Sequence, residues 1–165
     1  MSPKEELINW LNNAYAMELA LVEVLDNHAG DAASLPQVQE RLKTHIAETR
    51  VHADRLKNLI ENIGGVVSNS KALLGNLLGR FNAVTTAMSR DELVKNALGD
   101  FASEQLEVAC YTSLIAAAQE VGLAQVAEVC RKNLAEDQAM ADWLEQQIPE
   151  ITRSYLRTEA ARMAA

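Results

Sequence analysis

The stretch ASEQLEVACYTSL, residues 102–114, decides the fold because it places two acids in a helical stripe of apolar residues. Glu104 and Glu107 lie one turn apart on one face, and Tyr111 follows a turn later. Because both acids lie in the apolar stripe, the stretch predicts a helix that turns them toward the protein interior. Charged side chains are almost never buried without a partner or a metal, so the acids also indicate a binding site.

Three further segments carry acids or a histidine in helical apolar stripes. They are NNAYAMELALVEVL (12–25), with Glu18; HIAETRVHADRL (45–56), with Glu48 and His52; and NLAEDQAMADWL (133–144), with Asp137 or its neighbour Glu136. The helical wheel favours Asp137 over Glu136 as the inward residue, but both stay open. Carboxylates that project inward from four helices are typical of a carboxylate-bridged metal site in a four-helix bundle.

The amino-acid composition and the signals for helix starts and ends predict an all-α fold. Of 165 residues, 48% are hydrophobic and only 4% aromatic, with seven Gly and three Pro, and strand-type alternation is not apparent. Capping boxes at residues 2–5 and 89–92 start the first and third helices. Gly64-Gly65, Gly122 and Pro149 mark the expected ends of the second, third and fourth. We expect one bundle over residues 1–150, followed by a C-terminal helical tail, 151–165.

The connection between the two predicted hairpins spans residues 66–88. Its segment KALLGNLLGRFNAV predicts a short amphipathic helix over residues 71–84. The intervals from Glu18 to Glu48 and from Glu104 to Asp137 are nearly equal, which puts the acids at matching heights in two antiparallel hairpins. The expected architecture is an up-down-down-up bundle with a long crossover.

Charge and cysteine content exclude several partners. The net charge is −8, which argues against nucleic acid and anionic membranes, and no run of 18 apolar residues is present to span a membrane. The amphipathic start MSPKEELINWL is not a secretory signal. Cys110 and Cys130 are expected to be reduced, which indicates a cytoplasmic protein.

The predicted site is rich in oxygen ligands, which suits iron or manganese, and two such ions would need bridging carboxylates. The predicted ligands are Glu18, Glu48, His52, Glu104, Glu107 and Asp137. The role of His45 stays open: it could bind metal, donate a hydrogen bond to a residue that binds metal, or pack in the core. His28 is expected to cap a helix end or to be exposed, and Tyr111 to hydrogen-bond a carboxylate or pack in the core.

In order and spacing, these four segments resemble the ferritin-like superfamily, and in particular the YciE/YciF-type family of bacterial proteins. The resemblance spans residues 5–148. Its most distinctive parts are E-T-x-x-H at Glu48–His52 and E-x-x-E-x-x-x-Y at Glu104–Tyr111; the latter also resembles the third helix of rubrerythrins. The resemblance implies a four-helix bundle, a dinuclear iron or manganese centre and a stress-related role in the bacterial cytosol.

The chain also departs from that pattern. Ferritin-like sites typically carry E-x-x-H on the second and fourth helices, where this chain has Thr49 with His52 and Asp137 with Met140. A second hypothesis is therefore a non-catalytic helical dimer module with a degenerate or empty metal site. Under either hypothesis we expect a homodimer. Nothing in the sequence specifies an iron-storage shell.

Overall fold

The protein is described from a computed structural model that covers residues 1–68 and 91–164. These ranges contain four α-helices and a 3-10 turn and no strand: α1 Pro3–Asp31, the 3-10 turn Ala32–Ser34, α2 Pro36–Asn62, α3 Glu92–Glu120 and α4 Ala124–Met163. The predicted all-α, ferritin-like four-helix bundle is confirmed. The short helix expected over residues 71–84 lies outside the described residues.

The two expected helix starts have different outcomes. At α1, the Ser2 amide donates to Glu5 Oε2 at 2.6 Å and the Glu5 amide donates to Ser2 Oγ at 3.3 Å, which is the predicted capping box. The third helix begins later than expected, at Glu92, with Asp91 as its N-cap and no side-chain hydrogen bond there. Ser89, the predicted cap, lies outside the described residues.

Glycine ends α2 as the sequence predicts. Gly64 has a φ of +81°, a backbone conformation that costs little only without a side chain. The Gly65 amide donates to the Ile60 carbonyl at 2.8 Å, and the Gly64 amide to the Glu61 carbonyl at 3.0 Å. This pair of bonds is a Schellman motif, which satisfies carbonyls that the helix end would otherwise leave free.

The expected end of the fourth helix at Pro149 is wrong, because α4 passes through this residue and continues to Met163. A proline inside a helix removes one hydrogen bond and leaves the carbonyl four residues earlier without its donor. Here that carbonyl belongs to Glu145, and both Glu145 and Pro149 are exposed, so water can reach the freed group. Residues 151–163 of the expected helical tail are therefore an extension of α4.

The helices run up-down-down-up, as expected. Side-chain pairs join α1 to α3, as at His28 and Asp100, and α2 to α4, as at His52 and Glu136, in antiparallel order. Two apolar clusters fill the bundle at different heights. The first includes Leu7, Leu11, Leu56, Ile60, Leu114, Val126 and Cys130, and the second includes Leu25, Ala29, Leu42, Ile46, Met140 and Leu144. The predicted acids lie between these clusters along every helix.

Within the two described ranges, no helix has the length and apolar character needed to cross a bilayer.

The close packing behind Gly65 yields a stability prediction. A Cβ at this position would lie 2.8 Å from Ile8 Cγ2 and 3.0 Å from the Ile60 carbonyl oxygen. We expect Gly65→Ala to destabilise the fold by about 1–3 kcal/mol through overpacking. Thermal unfolding followed by circular dichroism measures the effect.

The matched control is Gly30→Ala, because Gly30 lies within α1 and an added Cβ there meets no atom within 4 Å. This change should stabilise the helix by about 0.5–1 kcal/mol. Equal effects of the two substitutions would contradict the packing described for Gly65.

Candidate metal centre

A layer of ionisable side chains lies between the two apolar clusters and receives residues from all four helices. Its members are each at most 1% exposed: Glu18 of α1, His45 and His52 of α2, Glu104 and Glu107 of α3, and Asp137 of α4. We call these six residues the inner layer. Helical spacing explains the convergence, since residues three, four or seven apart share a face.

Two sets of three residues in the inner layer could each hold a metal ion. One set is Glu18, His52 and Asp137, and the other is His45, Glu104 and Asp137. In each set, one ligand atom per residue lies within 4.8 Å of the others. Because Asp137 belongs to both sets, its carboxylate is suited to bridge two neighbouring cations.

The polar atoms of this layer approach one another without forming directed hydrogen bonds. His45 Nε2 lies 2.9 Å from Glu104 Oε1, and His52 Nδ1 lies 3.3 Å from Asp137 Oδ1, but neither contact has hydrogen-bond geometry. Eight buried nitrogen and oxygen atoms thus have no hydrogen-bond partner among the described residues: Glu18 Oε2, His45 Nε2, His52 Nδ1, Glu104 Oε1 and Oε2, Glu107 Oε1, and Asp137 Oδ1 and Oδ2.

The chemistry of these eight atoms fits a transition metal. Buried polar atoms normally have hydrogen-bond partners, so eight unpartnered atoms in one layer need an explanation. Their chemistry, carboxylate oxygen and imidazole nitrogen, is the donor set that iron and manganese accept. Cations placed among them would supply the missing partners and balance the buried negative charge.

His45, whose role the sequence left open, lies in the inner layer and is held from behind by Glu48. His45 Nδ1 lies 2.8 Å from Glu48 Oε2, which also accepts from Arg41 at 3.1 Å. The Glu48 side chain is 33% exposed. Glu48 therefore departs from the expectation of a direct ligand, because its position at the edge of the α2 stripe turns it to the outer side of His45.

His52 has the same arrangement with a partner from another helix. His52 Nε2 lies 2.6 Å from Glu136 Oε2, which also accepts from Arg55 at 2.8 Å. Of the two α4 neighbours, Asp137 lies in the inner layer, and Glu136, 36% exposed, lies behind His52. Carboxylates behind ligating histidines typically fix the ring orientation and tautomer.

Further hydrogen bonds, together with one close contact between His52 and Glu18, form a ring around one end of the layer. Tyr111 Oη donates to Glu18 Oε1, Asn133 Nδ2 donates to Tyr111 Oη at 2.8 Å, and Arg55 donates to Asn133 Oδ1 at 2.8 Å. Arg55 also binds Glu136, and His52, held by Glu136, faces Glu18 Oε2 at 3.5 Å. We call this set the polar ring: Glu18, Tyr111, Asn133, Arg55, Glu136 and His52.

Burial raises the pKa of the inner carboxyl groups. It raises the pKa of Glu104 from 4.5 to about 7, with partial opposition from His45 and further increases from Asp137 and Asp100. Burial, followed by the charges of Glu18 and Glu104, raises the pKa of Glu107 well above its ordinary value. In the absence of cations, protons therefore reduce the negative charge of the layer.

The inner histidines are shifted toward their charged forms. Burial opposes the charge of His52, but Asp137 and Glu18 outweigh it and raise its pKa to about 10. Burial likewise opposes the charge of His45, and Glu104 and Glu48 raise its pKa. The metal-free layer thus carries protons on nitrogens that a metal ion would have to displace.

Sequence reasoning missed a buried pair at the α1–α3 side of the layer. Asp100 Oδ1 lies 2.6 Å from His28 Nδ1, and both side chains are largely buried, whereas His28 was expected at a cap or exposed. Burial raises the pKa of Asp100, with opposition from His28. The signal was present, since Asp100 lies one turn before Glu104 on the same stripe.

The chain matches a known family along most of its length. The family described as "Domain of unknown function (DUF892)" matches residues 2–157, and the chain belongs to this family.

Solved structures share its fold. A protein from Xanthomonas campestris is 27% identical over 97% of this chain and 99% of its own, with a TM-score of 0.84. The E. coli stress protein YciF is 20% identical over 93% and 98%, with a TM-score of 0.79. A ferritin-like, diiron-carboxylate protein from Bacillus anthracis is 16% identical over 90% and 99%, with a TM-score of 0.68.

The pKa shifts predict how the stability of the metal-free protein depends on pH. The folded state binds the Glu104 proton more tightly than the unfolded state does. The contribution of this group to the free energy of unfolding is therefore fully present below about pH 4 and is lost as pH rises through about 7. The contribution of His52 is lost over a higher range, up to about pH 10. From about pH 5.5 to 8, we expect the Glu104 group alone to account for about 2 kcal/mol of lost stability.

Thermal unfolding in the presence of a chelator at these two pH values measures the loss, expected as a Tm lower by roughly 4–8 °C at the higher pH. Glu104→Gln is the control, because its amide is neutral at both values and its Tm should vary less. A metal-free protein that becomes more stable over this range would contradict the prediction.

Proposed function

We propose that this protein binds two transition-metal ions, iron or manganese, in the inner layer, as a ferritin-like dinuclear metal protein. The observation that carries the proposal is the set of eight buried, unpartnered nitrogen and oxygen atoms on four helices. A purely structural polar core would pair these atoms with one another, since an unpaired buried polar group costs about 1–3 kcal/mol.

Each residue of the layer has a distinct role in this proposal. Glu18 and His52 would hold one ion, His45 and Glu104 the other, and Asp137 would bridge them. Glu107, predicted as a ligand, belongs to neither set of three and would add negative charge beside both positions. Glu48 and Glu136 would orient the histidines from behind rather than bind metal directly.

The bound metal would supply reversible electron transfer, and the protein supplies a dry, fixed setting for it. The two apolar clusters limit water on both sides of the layer. The histidine–glutamate contacts keep the outer ring nitrogens engaged, so that the inner nitrogens face the metal positions.

We also propose a stress-related role in the bacterial cytoplasm. Support comes from the likeness to the E. coli stress protein YciF. The free thiols Cys110 and Cys130 fit a reducing compartment. The expected homodimer is a further proposal, and size-exclusion chromatography with light scattering measures it.

The second candidate function is a non-catalytic helical module that has kept the scaffold. Met140 favours it, because this buried residue stands where the ferritin-like pattern places a histidine on the fourth helix. Met140 belongs to the apolar cluster beside the layer. Such a module would not accumulate iron or manganese in the inner layer.

Metal content of a double variant separates the two candidates. Glu18→Ala with Glu104→Ala removes one ligand from each position, and we expect loss of both ions with the helical fold retained. Without metal, the double variant should be at least as stable as the parent protein, because fewer like charges are buried. Elemental analysis after anaerobic loading with ferrous or manganous ion, and circular dichroism, measure the two effects.

The control replaces Glu23 and Glu128, exposed acids on α1 and α4, with alanine. This variant should keep the metal content of the parent, about two ions per chain. A parent protein without bound metal after loading, or unchanged binding in the Glu18 and Glu104 variant, would rule out the proposed site.

A further inference from the structure

We propose that the polar ring makes the two metal positions unequal, so that the position formed by Glu18, His52 and Asp137 fills first. This inference rests on the proposed function but adds to it an order of binding and a role for Asn133 and Arg55. It follows from the hydrogen bonds that hold each position.

At the first position, the protein restrains the carboxylate of Glu18 before any ion arrives. Tyr111 Oη donates to Glu18 Oε1, while Oε2 has no hydrogen-bond partner among the described residues. One oxygen is thus engaged by the protein and the other is left toward His52. Glu18 therefore presents a single defined oxygen to a cation.

The direction of that hydrogen bond is set by two residues farther out. Asn133 Nδ2 donates to Tyr111 Oη, so the phenol must direct its own hydrogen to Glu18. Arg55 Nη1 donates to Asn133 Oδ1, so the Asn133 amide cannot exchange its oxygen and nitrogen without losing this bond. Asn133 and Arg55 are thus positioning residues that act on Glu18 through Tyr111.

The same ring also fixes His52. Arg55 donates to both oxygens of Glu136, at 2.8 and 3.3 Å, and Glu136 Oε2 lies 2.6 Å from His52 Nε2. An ionised carboxylate only accepts hydrogen bonds, so Nε2 keeps its hydrogen when a cation displaces the proton on Nδ1. His52 Nδ1 is left to face Glu18 and Asp137.

At the second position, only one of the ligands is held in this way. His45 is oriented by Glu48 and Arg41, much as His52 is by Glu136 and Arg55. Glu104, however, has no directed hydrogen bond on either carboxylate oxygen among the described residues. An ion must order this side chain as it binds, and such ordering reduces affinity.

Titration with Mn²⁺ under anaerobic conditions tests the order of filling. Calorimetry should show two binding steps in the parent protein. Electron paramagnetic resonance should show isolated Mn²⁺ during the first step and magnetically coupled Mn²⁺ only during the second. A single step that yields coupled ions from the first addition would overturn the inference.

Three variants assign the steps to the positions. Arg55→Gln and Asn133→Ala break the ring and should weaken the first step by roughly 10–100-fold, the usual effect of losing a group behind a metal ligand. Arg41→Gln should weaken only the second step. Arg50→Gln removes the same charge from an exposed site on α2 and should leave both steps unchanged.

Charge alone cannot mimic the expected loss, because removal of a cation near a metal site favours metal binding. Circular dichroism of the metal-free variants checks that each is folded, and Arg55→Gln, at a partly exposed residue, keeps the test valid if Asn133→Ala unfolds.

An unchanged first step in Arg55→Gln, or a weakened first step in Arg41→Gln, would overturn the inference. Two equal steps would leave the proposed metal site intact but reject the order; absence of Mn²⁺ binding would reject both.

Discussion

Like-charged carboxylates enclosed in a dry interior repel one another, and this repulsion constrains much of the molecule. Glu18, Glu104, Glu107 and Asp137 lie in one layer with two histidines. Moving one ionised group out of water costs several kcal/mol unless a counter-charge is supplied. Without metal, protons and the imidazolium forms of His45 and His52 reduce that cost, as the raised pKa values indicate. Metal ions would meet the same need with more charge and defined geometry.

The rest of the bundle compensates for this layer. Apolar clusters on both sides bury leucine, isoleucine and alanine, and each fully buried leucine or isoleucine contributes about 1.5–3 kcal/mol. Burial opposes the ionised forms of Glu48 and Glu136, but His45 with Arg41 lowers the pKa of Glu48, and Arg55 with His52 lowers the pKa of Glu136. Stability therefore comes mainly from the two apolar clusters, which offset the cost of the charged layer between them.

The sequence was most informative where one helix decides the outcome. Glu18, Glu104 and Glu107 lie at or near the middle of apolar stripes, and periodicity alone predicts that they face inward. Glu48, at a stripe edge, is predicted as a ligand but lies on the outer side of His45. The glycine ends of α2 and α3 also follow from local rules. Pro149 does not end α4, because the carbonyl of Glu145 that it leaves without a donor is exposed to water.

What local reasoning could not provide is the pairing between helices. Asn133 and Arg55 look like ordinary polar residues until α2, α3 and α4 are brought together around Tyr111. The pairing of His28 with Asp100 likewise depends on the relative height of α1 and α3. Contacts of this kind join residues 22 to 93 positions apart on different helices, and no single-helix pattern contains them.

The polar ring also has a consequence for the register of the helices. Faces made of leucine and alanine tolerate sliding, because one apolar contact can be exchanged for another a turn away. A slide of one helix by one turn, about 5.4 Å, would separate its ring residues from their partners, and the buried Tyr111 and Asn133 would find no substitute in the interior. The ring thus specifies one axial register for the four helices, as a single buried asparagine specifies the register of a coiled coil.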